Sequence, residues 1–223
     1  MHSDLLLRAV LLAAATFSLS VPSWAQSTYE FSAYGGFQSS PHSRVEGSDP
    51  SGAGEFNELF GWEGRSFEPP PYYGFRATYW RDSGFGYGVE FTHAKVYADE
   101  ESRARAGFER FELTDGLNLV TLNAMYRWDD PKRRWTPYVG AGFGIAIPHV
   151  DVQSAAGRTF GYQATGPVGR VIGGISYRLA DAWTVFAEYE GSYSSNDVDL
   201  DSGGGFRTDI VTNAVNFGVS YWL

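Results

Sequence analysis

Cysteine is absent from the 223 residues, which excludes a disulfide framework, a thiolate nucleophile and a cysteine-bound zinc site. Lysine occurs only at Lys95 and Lys132, and acidic residues outnumber basic ones for a net charge of -9, a balance that argues against nucleic acid as a partner. Long apolar runs are also lacking. The one candidate lies near the start, where Arg8 precedes Ala9 to Ala15 and Ser23-Trp24-Ala25 offers a small-x-small cleavage site. It falls short of the ~20 apolar residues that a spanning helix needs. Residues 1–25 therefore read as a secretory signal peptide and residues 26–223 as one mature domain. His2 leaves with the signal, so the mature chain keeps His42, His93 and His149.

What is present is aromatic and glycine: 14 Tyr, 16 Phe, 7 Trp and 27 Gly, with a mean hydropathy of -0.27. An exported chain that is aromatic-rich yet hydrophilic on average has its apolar residues spread over alternating positions, the composition of an outer-membrane barrel. The pattern bears this out along the chain. Phe85, Tyr87, Val89 and Phe91 alternate with Gly86, Gly88, Glu90 and Thr92, giving a strand with one apolar and one small or polar face. Similar alternation marks Tyr29 to Phe37, Tyr73 to Tyr79, Val120 to Trp128, Trp135 to Ile147, Val171 to Leu179, Trp183 to Tyr189 and Val215 to Leu223. Between these eight strands, turns of a few residues alternate with long connections at 39–71, 97–116, 148–165 and 194–208. The predicted fold is an all-β, eight-stranded antiparallel transmembrane β-barrel with short periplasmic turns and long extracellular loops. Tyr79-Trp80, Tyr126, Trp128, Trp135, Trp183 and Tyr221-Trp222 fall at the short-turn side as an aromatic girdle, and the last strand resembles the signal read by barrel-assembly machinery, with Leu223 where Phe or Trp is more usual.

An eight-stranded barrel is too narrow for a solvated channel. The inward positions carry Glu30, Glu90, Glu188 and Glu190 against Arg76, Arg127, Arg170 and Arg178, a matched set that predicts a charge-filled plug. No catalytic signature is present: there is no G-x-S-x-G elbow and no H-E-x-x-H, and Gly140, Gly142 and Gly144 share one strand face rather than forming a dinucleotide loop.

His93 and Lys95 continue the outward parity of Val89 and Phe91 past the apolar belt, which predicts polar groups on the lipid side at head-group depth. His42, His93 and His149 all fall at upper strand ends. His42 and His149, with Asp151 two residues beyond the latter, make the residue types of a two-histidine, one-carboxylate divalent-metal site. Hydrogen bonding of these rim residues to phosphate and sugar is the alternative reading.

A resemblance adds to this. Ser32-Ala33-Tyr34-Gly35-Gly36-Phe37-Gln38-Ser39-Ser40-Pro41-His42-Ser43, then Gly61-Trp62-Glu63-Gly64, Pro70 to Trp80 and Gly88 to Tyr97 resemble the lipid A oxidases of the outer membrane. The resemblance implies an enzyme of the outer leaflet that uses molecular oxygen to convert the proximal glucosamine of lipid A to 2-aminogluconate, with peroxide as co-product. It brings no catalytic residue set. From position and chemistry, His93 is the candidate base and Glu90 the second, Lys95 and Arg44 are candidate head-group ligands, and His42, His149 and Asp151 are the candidate metal set. The rival expectation is a non-enzymatic barrel, a structural protein or surface adhesin. A lipid A deacylase built on Ser43 beside His42 is a third.

Overall fold

The computed structural model describes residues 28–155 and 157–223, with the backbone alone at 114 and 115; the signal peptide expected at 1–25 lies outside them. The strands are β1 (Thr28–Ser39), β2 (Ser43–Asp49), β3 (Gly54–Phe60), β4 (Trp62–Glu63), β5 (Tyr73–Trp80), β6 (Phe85–Ala98), β7 (Arg110–Arg127), β8 (Trp135–Ser154), β9 (Gly157–Tyr162), β10 (Gly166–Ala180), β11 (Trp183–Asp199) and β12 (Gly205–Trp222), with one short helix, α1 (Glu100–Arg105). Eight strands close a ring in the order β1-β5-β6-β7-β8-β10-β11-β12, and β12 pairs back onto β1. Every pairing is antiparallel. No sheet edge is left in the ring, which a membrane wall requires.

Much of each expected long loop is strand, with α1 and its flanking turns taking the middle of 97–116. β7, β8, β11 and β12 hold 18, 20, 17 and 18 residues. A tilted span needs ~9–11, so close to half of each strand stands above the apolar belt. There β2 and β3 form a hairpin beside β12, β9 folds back on β8, and β4 pairs the top of β6.

The strands reverse polarity as they rise. Low on β12, Val215, Phe217 and Val219 point outward and Thr212, Asn216 and Ser220 inward; higher up, Ile210 and Phe206 are buried inside while Asp209 and Arg207 face out. β11 does the same, with Val198 inward above Glu188 and Glu190 and Leu200 buried just past its end. The upper half is thus a dome with an apolar core of Phe60, Trp62, Phe111 and Phe206 among others. Phe111 touches Phe60 at 4.8 Å and Phe206 at 4.7 Å between ring centroids.

The lower half is filled by charge. Arg76 binds Glu90 through Nε and Nη2 (2.8 and 3.0 Å) and Glu188 through Nη1 and Nη2 (3.0 and 2.7 Å). Arg170 lies 2.9 Å from Glu90 and 3.3 Å from Glu190. Tyr34 donates to Glu90 at 2.6 Å, and Tyr138 to Glu188 at 2.7 Å. The balance differs from four against four. Glu30 accepts from Trp80 Nε1 at 2.7 Å, Arg127 stacks on Trp80 and Trp222, and Arg178 is half exposed beside Asp129. Three carboxyls and two guanidiniums therefore make the central network. Trp80 turns inward as its floor and does not join the aromatic girdle, because Gly86 opposite leaves the indole room.

Candidate functional site at the upper rim

On β6 the outward parity survives to His93 and then breaks. A register shift against β7 falls between Ala94 and Val96, so Lys95 sits on a bulge rather than on the outer face. Neither residue meets head groups directly as expected: His93 is 5% exposed and Lys95 is fully buried. For Lys95 the reason is the segment 64–72, which crosses the upper end of β1. Gln38 donates its backbone N–H to Ser66 Oγ (2.8 Å), and Gly64 lies so close to the Gln38 carbonyl that no side chain would fit there. Lys95 donates from Nζ to the Glu68 carbonyl (2.6 Å) and from its backbone to Gln38 Oε1 (2.9 Å). Its ammonium stands 5.1 Å from the Tyr97 ring, over which the Arg65 guanidinium also lies at 4.5 Å.

His93 faces Tyr73 across the β5–β6 pair, the rings stacked at 5.0 Å and 18°, and its Nδ1 is 3.0 Å from Asn118 Oδ1 on β7. Gly116 completes the niche. It adopts φ +93°, and a Cβ there would collide with both His93 Nδ1 and Asn118 Oδ1, so glycine is required for conformation and for space. On the outside, Phe67 packs edge-on against Phe37 at 5.0 Å, and both rings remain about two-thirds exposed.

The other expected site residues go elsewhere. Glu90 lies on the inner face of β6, in the charge network, on the opposite side of the wall from His93. Arg44 is exposed on β2 and bonds Asn57 across the hairpin. His42 lies near Asp99, the N-cap of α1, which accepts from Ser102 N at 2.7 Å. Burial acts to raise the Asp99 carboxyl, but the Ser102 amide and hydroxyl and the neighbouring His42 and Arg105 hold it below its ordinary value of 3.8. His149 packs between Phe160 and Tyr162, at 4.4 and 4.7 Å. Asp151 is closed by Arg158 (2.6 and 2.8 Å) and Arg110 (3.1 Å), which keep its carboxyl below 3.8 against the opposing effect of burial.

The metal set is thus a correction. Among the described residues no three His, Asp or Glu side chains gather as ligands, and the one carboxylate of the proposed set is already neutralised by two guanidiniums. Nor does Ser43 serve His42: its hydroxyl accepts from Trp62 Nε1 (2.8 Å) and pairs with Thr208 (3.0 Å). Sequence reasoning missed Tyr73, Asn118, Gln38 and Gly116. Asn118 was legible, since it is the polar break in the outward series Val120, Leu122, Ala124, just as His93 breaks that of β6.

A closed antiparallel ring with an apolar belt outside and paired charges inside is a transmembrane β-barrel. The family model for the outer membrane protein beta-barrel domain matches residues 10–222, so the chain belongs to that family and resides in the bacterial outer membrane. Among solved structures, Neisserial surface protein A is 16% identical, covering 89% of this chain and 99% of that one with a TM-score of 0.51. The outer membrane protein AlkL, solved by solid-state NMR in DMPC bilayers, is also 16% identical, covering 93% and 95% with a TM-score of 0.50. At that identity the shared property is the fold. No curated protein matches.

Proposed function

We propose that this barrel is an enzyme of the outer leaflet that oxidises the proximal glucosamine of lipid A to 2-aminogluconate with molecular oxygen, and that the rim niche around His93 and Lys95 is where it acts. One observation supports the reading above others. The separated segments that carry the resemblance to lipid A oxidases, 32–43, 61–64, 70–80 and 88–97, meet at this single corner through Gln38, Gly64, Tyr73, His93 and Lys95.

The net chemistry takes two electrons and two protons from the C–H and O–H of the sugar hemiacetal, giving a lactone, while oxygen becomes peroxide; water then opens the lactone to the acid. A base must receive the hydroxyl proton. With Nδ1–H donating to Asn118 Oδ1, His93 carries its lone pair on Nε2, the tautomer a base needs. Lys95 would exchange the Glu68 carbonyl for an anionic head-group oxygen as segment 64–72 is displaced, and the exposed Phe37 and Phe67 edge marks the approach along the wall. His42, His149 and Asp151 do not gather to hold a divalent ion for oxygen activation.

The test is mass spectrometry of lipid A from cells that express the chain. A gain of one oxygen on the proximal unit, lost in His93→Ala while the barrel still migrates as a folded band, supports the reading. Unmodified lipid A from cells carrying the folded parent chain would refute it. The apolar-cored dome with an acidic exterior is what a non-enzymatic barrel of structural or adhesive role would also present, and that is the reading such a result would favour.

A further inference from the structure

The short-turn end of the barrel carries a basic cluster that neither the bore network nor the rim niche uses. Although the chain is acidic overall, at a net -9, the turn between β7 and β8 holds Lys132, Arg133 and Arg134 in succession, all exposed. Arg178, half exposed at the foot of β10, joins them: its backbone N–H donates to the Arg134 carbonyl at 2.7 Å. The two carboxylates of the turn are already engaged. Asp129 lies 3.7 Å from Arg127 and 3.9 Å from Arg178, and Asp130 lies 3.3 Å from Arg133. Among the described residues no carboxylate stands within ion-pair distance of the Lys132 ammonium or the Arg134 guanidinium. The other short turns lack this excess, since Arg81 is followed by Asp82 and the β10–β11 turn carries only Asp181. On the wall directly beside the cluster, Trp128, Trp135 and Tyr177 are exposed on the outer face, with Trp135 opposite Tyr177 in the β8–β10 register. The Arg133 guanidinium lies over the Trp135 ring at 4.9 Å, so the charge and the aromatic girdle meet at one depth.

We propose that this sector binds an anionic phospholipid of the periplasmic leaflet through its phosphodiester. Four cations held on one turn and the strand foot beside it repel one another, and an anion among them removes that repulsion. The aromatic girdle decides which anion. Rings at a membrane interface sit at head-group level, so the anion that meets Arg133, Arg134 and Arg178 at that depth is a lipid phosphate, while glycerol and acyl chains lie along Trp135 and Tyr177. Guanidinium groups suit the role because their planar fork takes two phosphate oxygens at once. A zwitterionic lipid fits less well: its ammonium would meet a surplus of cations, with Asp129 and Asp130 already facing arginines. The contact is confined to one side of the barrel, at the end opposite the rim niche.

Native mass spectrometry of the folded chain, released from micelles holding equimolar phosphatidylglycerol and phosphatidylcholine, tests this. Phosphatidylglycerol is expected to be retained over phosphatidylcholine by on the order of tenfold or more, the scale of two cations at about fivefold each near an anionic membrane surface. Lys132→Gln combined with Arg134→Gln should bring the ratio close to one while the folded gel band persists. Removing the same charge from the dome, by Arg105→Gln combined with Arg207→Gln, should leave the ratio at the parent value. Equal retention of the two lipids by the parent, or an unchanged ratio in the folded Lys132 and Arg134 variant, would overturn the proposal. So would displacement of the lipid by an equal concentration of inorganic phosphate, which marks a bare anion site, or retention of a peptidoglycan fragment in its place.

Discussion

The lower and upper halves of this barrel are built from the same strands with opposite polarity. Below, Glu90, Glu188, Glu190, Arg76 and Arg170 fill the bore and the apolar face looks out; above, Phe60, Phe111 and Phe206 fill the bore and Asp197, Arg207 and Asp209 look out. The difference teaches that strand geometry is indifferent to solvent. Period-two alternation fixes which residues share a face, and the medium outside decides which face must be apolar.

The largest expected effect comes from breaking the polar half. Arg76→Ala leaves Glu188 and part of Glu90 without their guanidinium in a fully buried network, a loss of about 3 to 5 kcal/mol. Urea unfolding followed by the shift between folded and unfolded gel bands should show it. If Arg76→Ala unfolds no earlier than the parent, the network is not what stabilises the lower bore. Truncation in the apolar half should act locally. Phe111→Ala is expected to lose about 3 kcal/mol of dome packing, seen as faster proteolysis at the hairpin tips while the lower barrel keeps its folded migration. The two seals also lie in series, so the parent and either single variant should pass no porin-sized currents in planar bilayers. Stable currents of that size from the parent would remove the plug.

At the boundary between the halves, His93→Ala is expected to lower product formation about a hundredfold, the scale of one positioned proton-transfer group, with the folded band unchanged. Lys95→Ala should mainly raise the substrate concentration needed. Equal rates for both would move the chemistry away from this corner. The smallest effect concerns Asp151. Its folded-state value is depressed below 3.8, so its contribution is complete above that value and is lost as pH falls through the depressed one. Arg158 and Arg110 are nearly half exposed, which keeps the contribution small. Proteolysis of the β8–β9 tip in the parent should rise over that acid range, and Asp151→Asn should flatten the rise.

Within the belt, the sequence was legible because one solvent assignment held: Val215, Phe217 and Val219 alternate cleanly against Asn216 and Ser220. The same rule hid the dome. Once Ile210 and Phe206 take over the inward positions, the alternation shifts phase by one residue, and a stretch such as 194–208, rich in Asp, Gly and Ser, reads as loop although most of it is ladder. His93 was placed on its correct face from parity alone. Lys95 was not, because the bulge at that residue has no signature in residue type. The cover over Lys95 comes from segment 64–72, whose return onto Gln38 is a tertiary contact that no local pattern encodes. The metal set failed for a related reason: spacing brought His149 and Asp151 near each other in sequence, but outward parity alone could not reveal that Arg110 and Arg158 meet the carboxylate first.

The phase shift along β11 and β12 also fixes how deeply the protein is immersed. Tyr193 and Val211 are the last outward apolar residues of their strands, and Asp197 and Asp209 follow within two to four positions. Sinking the barrel by a few residues, at ~3.4 Å of strand each, would draw those carboxylates toward hydrocarbon, at a cost that grows with depth. Raising it would bare the belt to water. The wall thus carries its own waterline, set by side chains on continuous strands and needing no anchoring loop.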